Sequence, residues 1–562
     1  MANGINTDRS AVATRTGKLQ RFWETVRHLK AEQILYRAWF RLYHPAPDVR
    51  AAPHIRNLAA SWVKPARRTA SLIGPTSFLF LNSARDLADI GWDGEELPKL
   101  WRYNQHYFDD LNAIGADARR VWHCALIERW IAENPPASGT GWEPYPTSLR
   151  IVNWVKWALA GNETPVMFRQ SLAIQARWLS RRLERHLLGN HLFANAKALI
   201  FAGTLLGGDE GDAWHSTGTR ILRRELPRQI LSDGGHFELS PMYHALALED
   251  VLDLINILRI GNRSHALLKA CEERVTLMQA WLSTMSHPDG EISFFNDAAI
   301  GVAPASNELS DYAERLGFTT ATATDPTVWL ECSGYARVAV GDAVLLADLA
   351  QVGPSYLPGH AHADTLSFEF SLGLERVLVN GGTSLYGLGD ERLRQRGTAA
   401  HNCVAVEGCN SSDVWSGFRV GQRARPLSPQ VLTRGEGVIL RAGHDGYRSL
   451  PGSPEHWRLW SFDGRSLIIE DTVTNPSLYA EAYFHLHPDV TVETTGKGYG
   501  MLILASGRQL TWRTSNEDCR LETGSWHPEF GVTRTARSII LPLREGRSAF
   551  EIHLDYDCSP ST

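Results

Sequence analysis

Three histidines near the middle of the chain are the residues most suited to chemistry: His360 and His362, one residue apart, and His401. Neutral imidazole is a proton acceptor near pH 7 and a common metal ligand. Between them the side chains of Leu366, Phe368, Phe370 and Leu372 alternate, the period of a half-buried strand, and Val377 and Val379 resume it after Gly373. A hairpin follows from that spacing, with His360 and His362 at its near end and His401 on the loop that closes back. On a strand, His-x-His puts both rings on one face. The pattern serves a metal or catalytic cluster, or a solvated polar rim.

Four polar-aromatic islands interrupt apolar helical stretches earlier in the chain: residues 100–111, 139–154, 187–199 and 233–248. Each sets Asn, His, Tyr, Glu or Arg at a helix start. Capping explains Asn and Ser there, but not the pairings Asn190–His191 and Tyr243–His244. From these islands come the candidate ligand-binding residues Asn104, His106, Glu143, Arg150, His236 and Glu238. Trp101 and Trp142 are candidates for stacking on sugar rings along a groove, although large core residues are the ordinary use of tryptophan.

The elements that must position these groups change near residue 330. Before it, apolar residues recur at helical spacing, as in Leu248, Val251, Leu252, Ile255 and Leu258; after it come short alternating runs with regular turns. An all-α part followed by an antiparallel β-rich part is the expectation. We divide the chain into an N-terminal helical extension (1–80), a helical domain (81–330) and a β-sandwich (331–562). Residues 20–43 are basic and amphipathic, fitting a helix docked on the body or lying on a membrane surface.

A chain of 562 residues with 43% hydrophobic and 21% charged residues is an ordinary multidomain globular protein. A net charge of −5 gives no general attraction to nucleic acid. Seven cysteines without a CxxC pair argue against a disulfide framework or a cysteine zinc site. No apolar run is long enough to span a bilayer. The first thirty residues show no Sec signal, so a cytoplasmic location is expected, with a periplasmic or secreted form left open.

Five segments in order, GNH (189–191), DGGHFELSPMYH (233–244), HAHAD (360–364), VLVNGGTSLY (377–386) and RGTAAHN (396–402), resemble the signature segments of the heparinase II/III family of polysaccharide lyases. The likeness covers roughly residues 80–490. It implies an incomplete α/α toroid followed by an antiparallel β-sandwich, and β-elimination on an anionic, uronate-containing polysaccharide. Asn190, with His191, would hydrogen-bond the uronate carboxylate and stabilise the enolate. Tyr243 would be the acid, and also the base when proton and leaving group are syn. His360 would be the base for the opposite C-5 configuration. A tyrosine, with a pKa of about 10, is a poor base unless nearby cations lower it, which the histidines around it could do. Arg396 joins the substrate-binding set. The family's metal position implies a structural divalent ion, zinc by donor type, at His362, Asn380 and His401. The neutral amide of Asn380 in place of a carboxylate weakens that set, so bare hydrogen bonding stays open. One branch of the family carries a glutamate three residues after the histidine of the Asn-His pair. This chain has Ala194 there, so that branch's substrate preference is not implied. A C-5 uronate epimerase and a non-catalytic glycan-binding protein remain alternatives.

Overall fold

The structure is a computed structural model that describes residues 17–319, 325–435 and 437–554. Two helices, α1 (Lys18–Val26) and α2 (Ala31–Leu42), open the described chain, and the hairpin β1 (Ser77–Phe80) and β2 (Ser83–Asp86) follows. The helical part runs through α3 (Leu87–Ile90), α4 (Lys99–Tyr107), α5 (Arg120–Glu133), α6 (Pro144–Leu159), α7 (Val166–Arg181), α8 (Gly189–Leu205), α9 (Gly208–Gln229), α10 (Pro241–Gly261), α11 (His265–Thr284) and α12 (Ser306–Arg315). Successive helices pack side by side around an apolar core that includes Trp130, Trp154, Leu199, Ile255 and Met278. The start of α10 shows how sequence sets an element. Pro241 supplies a preset φ in the first turn, and the Ser240 hydroxyl accepts the Tyr243 N–H at 3.2 Å.

Beyond the helices the described residues form three larger antiparallel sheets and one two-stranded pair. The first is a meander of β3 (Thr327–Leu330), β4 (Tyr335–Val340), β5 (Ala343–Asp348), β6 (Phe368–Leu372) and β7 (Glu375–Leu378). Here the expected hairpin turns at Gly373, whose φ of +58° suits a residue without Cβ. The short helix α13 (Asp390–Arg396) and the strands β8 (Val404–Val406), β9 (Val414–Trp415) and β10 (Arg419–Val420) come next. Then follow β11 (Pro426–Arg434), β12 (Gly437–His444), β13 (His456–Phe462), β14 (Ser466–Val473), β15 (Ala480–His485), β16 (Thr491–Gly496), β17 (Tyr499–Ile503), β18 (Gln509–Thr514), β19 (Arg520–Trp526), β20 (Arg534–Pro542) and β21 (Arg547–His553). Eight strands make one sheet in the order β11-β12-β13-β14-β21-β18-β17-β16, and four make another, β19-β20-β15-β8. A bridge between Leu378 and Leu486 joins the five- and four-stranded sheets into one layer. Along β13 burial alternates residue by residue, as a strand with one face on the core requires. Phe370, Trp460, Ile469, Phe484 and Phe550 fill the space between the layers. The fold is an incomplete α/α toroid followed by an antiparallel β-sandwich.

Residues 20–43 form two helices rather than one, and they bridge the two parts. Arg21 pairs with Asp413 at 2.8 Å and Thr25 accepts from Trp415 Nε1 at 3.1 Å on the sandwich side. Arg182 of the toroid donates to Phe40 O at 2.8 Å. Among the described residues no helix is long and apolar enough to cross a membrane.

Candidate functional site

The stretch between α11 and α12, residues 286–297, carries the group around which the site is built. Asp297 is fully buried. Its carboxylate meets His360 Nδ1 at 2.9 Å and His362 Nε2 at 2.8 Å, and Arg392 clamps both of its oxygens. Burial alone would raise the Asp297 carboxyl, but Arg392 and the two imidazoles hold it well below the carboxylate range. With Nδ1 committed to a carboxylate, His360 carries its proton there and leaves Nε2 as the free acceptor. Residues 360–364 are loop rather than strand, so the His-x-His pair converges through Asp297 and not through pleating.

The His360 ring lies on the Tyr243 ring, centroids 3.9 Å apart. Tyr243 keeps 9% exposure, and its hydroxyl meets that of Tyr386 at 3.0 Å. Phe418 and Phe530 pack on Tyr386 and close the aromatic wall. Burial, then Tyr386 and Asp297, push the Tyr243 hydroxyl well above its ordinary value. The lowering expected from neighbouring histidines is therefore overturned. Desolvation of the buried hydroxyl dominates. That shift favours the protonated hydroxyl over the phenolate.

Asn190 sits half-buried in the first turn of α8, where helix N–H groups favour anions. The turn is tight. Leu188 and Gly189 both have positive φ, and a Cβ on Gly189 would lie 2.4 Å from Leu357 and 3.1 Å from Glu238 Oε1. His191 packs at a tilt on Tyr145, ring centroids 4.5 Å apart, and meets Glu184 Oε1 at 3.1 Å. Burial opposes protonation of His191, but Glu184 outweighs it and raises the imidazole. Glu238 is 2% exposed and neither of its oxygens has a hydrogen-bond partner. Burial raises its carboxyl, against the pull of His360 and His191. Asn190, His191, Tyr243, His360 and Glu238 thus gather at one place between toroid and sandwich, although 170 residues of chain separate Asn190 from His360.

Other expectations need correction. Trp101 is 1% exposed, donates to Ser83 O at 3.0 Å and abuts Phe80. Trp142 is 3% exposed, packs on Trp130 and donates to Asn134 O. Both are core, not groove, because helix crossings in this toroid are filled by indoles. Arg150 is fully buried, lies 3.8 Å from the Trp130 ring centroid and donates to Gln175 at 2.9 Å. His106 accepts from Trp130 Nε1 at 3.0 Å, and burial followed by Arg150 takes its pKa down to about 3. Neither faces a ligand. His236 is buried with its pKa at about 3, and His244 is spent on Met278 O at 2.9 Å. Arg396 is buried and donates to Ala361 O at 2.8 Å, so it holds the histidine loop instead of substrate. Asn104 and Glu143 remain half-buried, with Glu143 receiving Lys99 at 2.9 Å and the Tyr103 hydroxyl.

The metal expectation also shifts by one residue. Asn380 uses both ends of its amide inside the sandwich: Oδ1 accepts from Asn402 N at 3.0 Å and Nδ2 donates to Ser367 at 3.2 Å. The donor atoms of His362, Asp364 and His401 instead lie within 4.8 Å of one another. Asp364 ends the HAHAD run, where its carboxylate was in view but not read as a ligand. Asp297 and Arg392 were missed for a different reason. Neither stands in a motif, and only the fold brings them to the histidines.

The profile described as Heparinase II/III N-terminus matches residues 119–316, and that described as Heparinase II/III-like, C-terminal matches residues 322–555. A heparin-sulfate lyase of Bacteroides thetaiotaomicron is 27% identical over 252 residues, 38% of this chain and 35% of that protein. One from Bacteroides stercoris is 31% identical over 113 residues, 20% of this chain and 17% of the relative. The chain therefore spans about a third or less of the length of these curated relatives. A crystal structure of heparinase III superposes with a TM-score of 0.63 at 19% identity, covering 82% of this chain and 78% of that one. The heparan sulfate lyase HepC of Pedobacter heparinus gives 0.55 at 18% identity, covering 86% and 82%. With the two profiles together covering most of its length, the chain belongs to the heparinase II/III family.

Proposed function

We propose that this protein is a polysaccharide lyase that cleaves a uronate-containing polysaccharide by β-elimination. The observation that carries the reading is the Tyr243–His360 pair, ring on ring, with His360 Nδ1 tied to the buried Asp297 carboxylate. His360 Nε2 takes the C-5 proton. The electron pair left behind forms the C4=C5 bond as the C4–O bond breaks, and the Tyr243 hydroxyl protonates the departing oxygen. Asn190 and His191, whose imidazole Glu184 favours in its charged form, hydrogen-bond the carboxylate, where enolate charge develops. Glu238, whose carboxyl burial raises, lies beside that group. The relatives' printed activity makes a glycosaminoglycan-like polymer the first class to test, and a uronate-bearing bacterial exopolysaccharide the second. The test is incubation with a panel of such polymers while following ultraviolet absorbance of the unsaturated product. Absence of that product across the panel, with solvent deuterium entering C-5, would replace the lyase by an epimerase.

A structural zinc at His362, Asp364 and His401 belongs to the same reading. Two imidazoles that burial keeps neutral and one carboxylate are a donor set zinc accepts, and His362 Nδ1 faces His401 Nε2 at 3.0 Å. Such an ion would fasten the 360–364 loop to residue 401 and take no part in proton transfer. Elemental analysis of protein purified without chelator should find one zinc per chain. Protein that stays metal-free after zinc is supplied would show that hydrogen bonds alone hold the loop.

A further inference from the structure

Along α9, Ser216, Thr219, Arg220, Arg223 and Arg224 follow at spacings of three and four, so all five share one face. That face forms one wall of a hollow of about 700 Å³, and Arg263 and Ser264 form the other. Four arginines therefore look into one concavity. Arg224 is paired with Glu225 and Glu32, and Arg263 with Asp212. Arg220 and Arg223 are exposed and have no carboxylate partner among the described residues. Like charges packed this closely repel one another unless an anion lies among them.

Two further observations point to a ligand. His215 lines the hollow at 3% exposure, and its Nε2 is buried with no hydrogen-bond partner. A buried polar atom without a partner is uncommon in a native fold and is explained when a ligand supplies the bond. Ser264, the residue before α11, turns its hydroxyl to Thr219 at 3.0 Å instead of capping the helix, so two hydroxyls stand beside the arginines. The hollow is not part of the catalytic cleft. None of the cleft residues lines it, and Gln229, which donates to Gly189 O at the start of α8, lies five residues along α9 beyond Arg224, the nearest lining residue, about 7.5 Å at the helix rise.

We propose that this hollow is a second anion-binding site, separate from the cleft, which takes the oxyanion groups of a polyanionic ligand. Guanidinium forks match sulfate, phosphate and carboxylate oxygens in pairs. The stripe from Ser216 to Arg224 extends about 12 Å, enough for more than one charged group of a chain. An acidic polysaccharide or a free small oxyanion could supply this chemistry. If the ligand is the chain that the cleft cleaves, the hollow holds it at a distance from the point of cleavage.

Calorimetric titration of the full chain with inorganic sulfate and, separately, with heparin as a sulfated uronate chain tests the proposal. The comparison is with the Arg220→Glu/Arg223→Glu double variant, whose changed side chains are exposed and leave the core intact. Wild-type protein should bind at least one probe, and the double variant should lose tenfold or more in affinity for it. Loss confined to heparin assigns the site to a chain, and loss seen with sulfate as well assigns it to single oxyanions. Equal affinities in wild type and variant for both probes, or no binding of either by wild type, would overturn the site. Neither readout uses turnover, so a missing unsaturated product would count against the lyase reading without touching this one.

Discussion

Asp297 accepts from two imidazoles and a guanidinium inside the protein, and that is a costly arrangement for a group with no other task. Our account gives it one: fixing which His360 nitrogen faces the cleft. Asp297→Asn keeps the shape but removes the charge that selects the tautomer. At a temperature where circular dichroism shows the variant folded, turnover should fall on the order of 10²-fold or more while KM changes little. Equal loss in KM and none in kcat would make Asp297 a packing residue only. Tyr243 and His360 were legible as a pair because each stands in a signature segment. Asp297 was not, since a lone aspartate in FFNDAA has no spacing that ties it to a histidine over sixty residues away. Trp101 and Trp142 were misread because indole in a polar neighbourhood fits groove and core alike, and only burial separates the two.

At the scale of elements, the site depends on turns that hold short loops against helices. Gly234, in the loop that leads to His236 and Glu238, has φ +90°, and a Cβ there would lie 2.4 Å from the Leu277 backbone. Gly234→Ala must both enter left-handed space and displace α11, so a loss of about 2 kcal/mol or more is expected. Chemical denaturation should record that loss as a lower midpoint with an unchanged slope. A variant as stable as wild type would mean that the loop and α11 separate easily. The helices and the α-then-β order were readable from periodicity because most strands and helices here have one buried face. The loop 360–364 was not. Its shape follows from Arg396, Asn296 and Asp297, which bind its backbone and side chains from two other segments.

Across the whole molecule, buried histidines set the response to acid. His106 and His236 have pKa values lowered to about 3 and His215 and His244 to about 4, in each case chiefly by burial. In the unfolded chain they would titrate near 6.5. Below that pH the unfolded state binds protons that the folded state refuses, so stability falls as pH drops from about 6.5 toward 4. Thermal midpoints should decline across that window and level off above it. A midpoint flat from pH 7 to pH 4.5 would show these rings to be reached by water.

The central claim is that Tyr243 donates the proton that releases the leaving sugar. The measurement is steady-state formation of unsaturated product by wild type and by Tyr243→Phe, on whichever uronate polymer the wild type cleaves. Removing one hydroxyl leaves the ring against His360, so KM should change little while kcat falls on the order of 10²–10⁴-fold. A Phe variant that makes the unsaturated product at the wild-type rate would contradict the account.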